Sequence, residues 1–112
     1  MAHLLALRTV ENRTEVLLEQ RPRDASLMPG MFELPPLPLD AVLRTPPLLR
    51  VRHAITNTNF QVEVYGDDTG LMAAVPARES DLHWASVQHL EMLPLTGLAR
   101  KCLTRVGVMG RR

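Results

Sequence analysis

Between Arg50 and Tyr65 the chain reads RVRHAITNTNFQVEVY, and at its centre stand four small polar residues, Thr56-Asn57-Thr58-Asn59. Hydroxyls and carboxamides at neighbouring positions donate and accept hydrogen bonds without titrating. Two uses fit such a set. The side chains can satisfy backbone groups of a polar turn or bulge, or they can face a ligand. Just before them, Arg50 and Arg52 fall on one side of an extended chain, where phosphate or solvent suits them equally. Lys101 and Arg100, near the start of a C-terminal helical pattern, are weaker candidates for phosphate contact. Other chemistries find no support. His3, His53, His83 and His89 are dispersed, with no i, i+4 ligand pair, and no glycine-rich phosphate loop occurs. No catalytic residue and no metal ligand is assigned.

The elements that must hold these groups are bounded by the totals. A chain of 112 residues, 46% hydrophobic and 22% charged, fits one globular domain with a modest core. The net charge of +1 gives no overall pull toward nucleic acid, although a local basic face is compatible with it. Lys101 is the only lysine, so the cations are almost all guanidinium groups, the better fork for phosphates and base edges. Cys102 stands alone, which excludes an internal disulfide, and is expected to be a small buried hydrophobe. No signal peptide and no membrane-length apolar run is present, so a cytoplasmic location is expected.

Strands are predicted at 2–10 and 15–21, joined through the polar linker 11–14 as a hairpin. Residues 22–30 read as loop and 31–35 as one short strand. Between 35 and 47 the prolines leave room for one helical turn around Asp40–Arg44. Strands follow at 48–56 and 59–65, then a turn at 66–70. The stretch 71–81 fits a short helix or a loop. Residues 82–86 read as a strand carrying Trp84 at a sheet edge or in the core, and 86–90 as one helical turn capped by Ser86. The best helix is 96–106, with Thr96 as its cap and Leu98, Cys102, Leu103 and Val106 on one face. The tail from Gly107 onward reads as frayed. The sum is an α+β domain with a mixed β-sheet and a C-terminal helix, spanning 1–112.

The order of parts in MPGMFELP (28–35) resembles the Nudix fold, where a strand leads into a helix bearing metal-binding carboxylates. Counted from Gly30, however, the signature's first Glu falls on Pro36, its Arg on Arg44 and the next Glu on Thr45. Its paired acids would fall on Leu48 and Leu49. Magnesium-assisted pyrophosphate hydrolysis needs several hard oxygen ligands converging from one helix, and this degenerate segment has neither the ligands nor an unbroken helix. The fold is expected; the hydrolase chemistry is not.

Taken together, SLMPGMFELP (26–35), RHAITNTNFQVEVY (52–65) and LPLTGLARKCL (93–103) resemble the C-terminal domain of MutY-type adenine-specific DNA glycosylases, over about Leu4 to Val106. The resemblance implies a Nudix-like domain without hydrolase activity that helps detect 8-oxoguanine opposite adenine. Family members reach the lesion with a Phe-Ser-His loop between two strands. Aligned through His53, those positions are Ile55, Thr56 and Asn57. Thr56 keeps a hydroxyl, Asn57 keeps donor and acceptor capacity without titrating, and Ile55 keeps apolar bulk without stacking. Arg50, Arg52 and Lys101 become the DNA-backbone candidates. The partners implied are duplex DNA with an 8-oxoguanine:adenine mispair and an N-terminal glycosylase domain of the same parent chain, with no membrane. No cofactor is expected in this domain; the family's iron–sulfur cluster belongs to the N-terminal one, and a lone cysteine cannot hold it. The chain then reads as an excised domain, nucleoid-associated in its parent and inactive as a glycosylase alone. Two other readings compete: a divergent Nudix nucleotide pyrophosphohydrolase, and a protein-interaction module on the same fold.

Overall fold

The first predicted strand divides in two. Ala2–Leu5 (β1) is buried throughout and Leu7–Val10 (β2) is exposed throughout, with the fully buried Ala6 between them. A largely apolar run, interrupted only by the buried His3, suits a strand covered on both faces, whereas the mixed Leu-Arg-Thr-Val suits an edge. The computed structural model describes residues 1–67 and 70–110, and places these two strands in different sheets.

Arg13–Gln20 forms β3, Phe32–Glu33 β4, Pro36–Leu37 β5, Leu49–Ile55 β6, Thr58–Gly66 β7 and Leu82–Ser86 β8. One sheet runs β5-β1-β7-β6, with β1 and β7 parallel and the other pairs antiparallel. The other runs β2-β3-β4, with β8 also paired to β3. Alternation along β1 and β3 feeds two cores. Ala2, Leu4, Ala6 and Leu17 join Leu37, Val42, Tyr65 and Leu71 in one. Leu5, Val16 and Leu18 join Val51, Val64, Leu90 and the inner face of the helix Gly97–Arg105 (α1) in the other. Thr96 caps α1 as its sequence position suggests, its hydroxyl accepting from the Ala99 amide at 3.2 Å.

Several expectations change. Strand-forming residues extend past Pro35 to Pro36–Leu37, because β5 pairs on one side only, and a residue without an N–H is tolerated at such an edge. The helical turn in the proline-rich stretch is a 3-10 turn at Leu39–Val42, starting before Asp40. Residues 71–81 hold two 3-10 turns, Leu71–Ala74 and Glu79–Asp81, and the Ser86-capped turn extends to Met92. Trp84 is half-buried on β8, against the Leu17 core, with the Arg8 guanidinium 4.3 Å from its ring centre. The tail is docked as far as Met109. Gly107 takes a positive φ of 85°, the Val108 and Met109 amides donate to the Leu103 carbonyl, and Met109 is buried. Part of the turn expected at 66–70 lies outside the described residues.

Two tight hairpins stand out. Glu11 and Asn12 both have positive φ, 51° and 65°, and make a two-residue loop whose twist matches its strands. The second joins β6 to β7 through Thr56 and Asn57 alone, since Ile55 already pairs with Thr58. Thr56 has φ 56°, a left-handed conformation that a β-branched residue adopts at a cost. That cost is about 1–2 kcal/mol, while a glycine there would give up roughly 0.4–1 kcal/mol of unfolded-chain entropy. Thr56→Gly is therefore expected to raise unfolding free energy by about 0.5 kcal/mol in urea denaturation, and a clear loss would contradict the strain.

Candidate nucleic-acid interface

The hairpin sets the three loop candidates apart. Thr56 and Asn57 are exposed at its tip, free to meet a surface laid across it. Ile55 is half-buried and shares the inward side of β6 with His53 and Val51. It lines an open cleft of about 520 Å³ whose walls also include Met28, Leu37, Leu39 and Leu98. The polar tip and its apolar neighbour therefore face different environments.

The cations are also distinguished. On the outward side of β6, Arg50 Nε donates to a Glu63 carboxylate oxygen at 3.0 Å. The opposite oxygen of Glu63 accepts from the Tyr65 hydroxyl at 3.1 Å. These two bonds, Arg50 first, hold the Glu63 carboxyl below its ordinary value. Arg50 is thus charge-compensated. Arg52, two residues on, is exposed and has no ion pair among the described residues. Lys101 on α1 donates to the Arg52 carbonyl, so the helix lies along the outer edge of β6. A Cβ built on Gly97 would stand 3.9 Å from His53 Cε1, which brings the start of α1 beside the same strand. Arg50, Arg52 and Lys101 therefore gather near one sheet edge, although only Arg52 keeps its guanidinium uncommitted.

Sequence patterns did not disclose the cleft. Its walls come from the loop around 21–30, β4, the proline-rich stretch, β1, β6 and α1, brought together by tertiary contacts. A signal was present in the apolar residues of two loops, for Leu27 and Leu39 are about 60% exposed at the rim. Arg21 steadies one wall, its Nε donating to the Leu27 carbonyl at 2.9 Å and its Nη1 to a Glu33 carboxylate oxygen at 2.9 Å. Glu19 lies across from Glu33 on the neighbouring strand. Burial, then the charges of Glu33 and Asp81, push the Glu19 carboxyl up. His3 also lines the cleft, with Nδ1 2.9 Å from the Leu34 carbonyl, which assigns its proton to Nδ1.

A magnesium site of the kind used for pyrophosphate hydrolysis does not fit these residues. Where a carboxylate-bearing helix would run, the chain has β5, a 3-10 turn and a lone Asp40 before β6. Among the described residues no three His, Cys, Asp or Glu side chains are placed to share a metal ion. Cys102 is buried on the inner face of α1, where desolvation raises its thiol pKa. No helix among the described residues is long and apolar enough to cross a membrane.

No protein-family model matches the sequence, and no curated protein matches it either. Solved structures do match, over nearly the whole chain. The C-terminal domain of mouse MUTYH, solved in complex with human PCNA, is 20% identical with a TM-score of 0.60, covering 94% of this chain and 84% of that one. RenU, a Nudix hydrolase from M. smegmatis, is 18% identical with a TM-score of 0.54, covering 99% of this chain and 89% of that one. The Nudix domain of Shewanella oneidensis NrtR, solved with ADP ribose, is 12% identical with a TM-score of 0.60, covering 94% and 83%. The chain has the α+β Nudix-like fold.

The buried His3 carries a pH prediction. Burial holds its imidazole pKa below the ordinary value of 6.5, outweighing the Leu34 carbonyl and the Glu33 charge that raise it. The unfolded chain therefore takes up the proton first. The stability tied to neutral His3 is complete above the unfolded pKa and is lost as pH falls through the folded one. Urea midpoints should decline from about pH 7 to about pH 5. His3→Asn keeps an N–H for the Leu34 carbonyl and cannot titrate, so it should flatten that decline. An equally steep decline in the variant would assign it to other groups.

Proposed function

We propose that the chain is a non-catalytic DNA lesion-recognition domain that helps an adenine DNA glycosylase detect 8-oxoguanine opposite adenine. The observation that carries this reading is the β6–β7 hairpin, with Thr56 and Asn57 exposed at its tip and uncommitted Arg52 on the strand behind. Oxidation of guanine at C8 turns the N7 acceptor into an N–H donor and adds a carbonyl acceptor beside it. A reader of that edge needs an acceptor and a donor side by side. The Thr56 hydroxyl and the Asn57 carboxamide supply both at any ordinary pH. Ile55 anchors the base of the tip in the apolar cleft. Arg52 contacts phosphate, with Lys101 and Arg50 as flanking positive charge.

The likeness to the MUTYH C-terminal domain supports the same reading at the level of fold. Its partners would be a duplex holding the 8-oxoguanine:adenine mispair and an N-terminal glycosylase domain of the parent chain, which would supply the catalysis and its iron–sulfur cluster. The working place would be the cytoplasmic nucleoid.

Titration of the labelled domain with duplexes holding 8-oxoguanine or guanine opposite adenine tests it. NMR shifts should centre on residues 52–59 and be larger for the oxidised duplex. Thr56→Ala, and Thr56→Gly with its relaxed backbone, should reduce preference for the oxidised duplex by about 1–3 kcal/mol and leave general affinity nearly intact. Arg52→Ala should weaken both duplexes together and lower the salt slope by about 0.9. Equal loss on both duplexes in the Thr56 variants would contradict a role in lesion reading.

A second reading, nucleotide binding on the pattern of Nudix hydrolases, is favoured by the cleft itself: it is large, mainly apolar, and has Glu33, Arg21 and His3 at its polar margin. Under that reading an oxidised nucleotide would bind to the free protein. Release of pyrophosphate with added magnesium would establish turnover and displace the first proposal.

A further inference from the structure

Arg100, Lys101, Thr104 and Arg105 occupy one stripe of α1 at helical spacing, opposite the buried Ala99, Cys102 and Leu103. Together with Gly97 they line a shallow groove on the protein surface. The helix has no acidic residue. None of its three cations is ion-paired with a carboxylate among the described residues, and neither is Arg52, to whose carbonyl Lys101 donates. By contrast Arg8, Arg21 and Arg50 each hold a carboxylate within 3.0 Å. Four uncompensated cations thus gather along one sheet edge, where α1 meets β6, in a chain whose total charge is +1, which leaves the rest of it at −3. That concentration is not a by-product of a basic protein.

We infer that the outer face of α1, continued through Arg52, is a seat for one phosphodiester strand of a DNA duplex. The inference rests on the lesion-recognition reading for its partner and adds Arg100 and Arg105 to the interface. Geometry favours a strand over a single phosphate. The stripe from Gly97 to Arg105 runs about 12 Å along the helix, roughly the axial rise of three to four nucleotides in B-form DNA. The groove is open and lacks the enclosing wall that an isolated phosphate would need. It also starts where recognition is proposed to occur: Gly97 lies beside His53 and Lys101 beside Arg52, so the track leads away from the base of the Thr56–Asn57 hairpin. Three of the four cations are guanidinium groups, which bind phosphate through a bidentate fork. Lys101, already bonded to the backbone of β6, fixes the helix against that strand while adding its charge to the track.

The test is fluorescence anisotropy of labelled duplexes, 8-oxoguanine:adenine and guanine:adenine, measured over a series of salt concentrations. Arg100→Gln with Arg105→Gln should lower the slope of log K against log salt by about 1.8 in total and weaken both duplexes by the same factor. Lesion preference should be unchanged. Both side chains are exposed, and an unchanged thermal midpoint would show that the double variant is folded. If the wild type binds DNA but the folded variant keeps its slope, the inference fails and the lesion reading stands. If the variant loses slope while the wild type shows no lesion preference, the inference stands and the lesion reading fails. If the wild type binds neither duplex, whether or not it binds vesicles of phosphatidylserine, the inference is overturned.

Discussion

The passage of the chain through Ala6 is the constraint on which the architecture depends. Its side chain is fully buried, and its carbonyl accepts from the Leu17 amide at 3.0 Å. On one side β1 enters the first sheet; on the other β2 enters the second. A larger residue would have to displace packed neighbours, which costs about 1–3 kcal/mol in a close-packed core. A residue pointing outward would break the alternation that feeds both cores. From this crossing the register follows. β1 fixes β7 by parallel pairing from Ala2↔Glu63 to Leu5↔Gly66, and β7 fixes β6 from Leu49↔Val64 to Ile55↔Thr58. The tip at Thr56 and Asn57 is therefore set by the centre of the fold, through the strand next to β1 and the one beyond it.

Edges do the remaining work. The outer side of β6 would otherwise offer unpaired backbone groups to any extended chain. Lys101 takes the Arg52 carbonyl, and α1 packs alongside. This contact closes an exposed edge and lines up the cations of two elements that lie far apart in sequence. The buried side of α1 supports it, since Ala99, Cys102 and Leu103 leave little freedom for the helix to rotate. The N-cap at Thr96 fixes where it begins, and docking of Met109 fixes where the chain goes after it ends.

What could be read from the sequence was local chemistry. Polar residues between two apolar alternations marked both hairpins, and Thr96 with its periodic apolar face marked α1. The division at Ala6 was not legible, because an apolar run serves one long strand or two short ones until the partners are known. Pro36 argued against a strand, and only the one-sided pairing of β5 makes room for it. Met109 reads as tail because nothing nearby in sequence calls for its burial. Arg50, Arg52 and Lys101 were legible as cations, but the difference between them was not. It depends on Glu63 across the ladder and on the Arg52 carbonyl opposite α1. The cleft was least legible, for its walls come from six separate segments.

Thr56 itself bears on the choice between a plain turn and a recognition tip. If the only demand were to reverse the chain in two residues, glycine or asparagine at the positive-φ position would meet it with less strain. The first hairpin shows the ordinary solution, with Asn12 in one of its two left-handed positions. At Thr56 a β-branched residue occupies that conformation while its side chain, exposed at the tip, gains no core packing. The left-handed cost must then be met by the surrounding ladder, in which seven residue pairs align from Leu49↔Val64 to Ile55↔Thr58. A hydroxyl on a β-branched side chain, stiff at χ1 and carried at the end of a paired ladder, loses less freedom when a ligand arrives than the same group on a longer unpaired loop. The strain is thus an argument for reading the hydroxyl as a contact of the tip rather than as an incident of the turn.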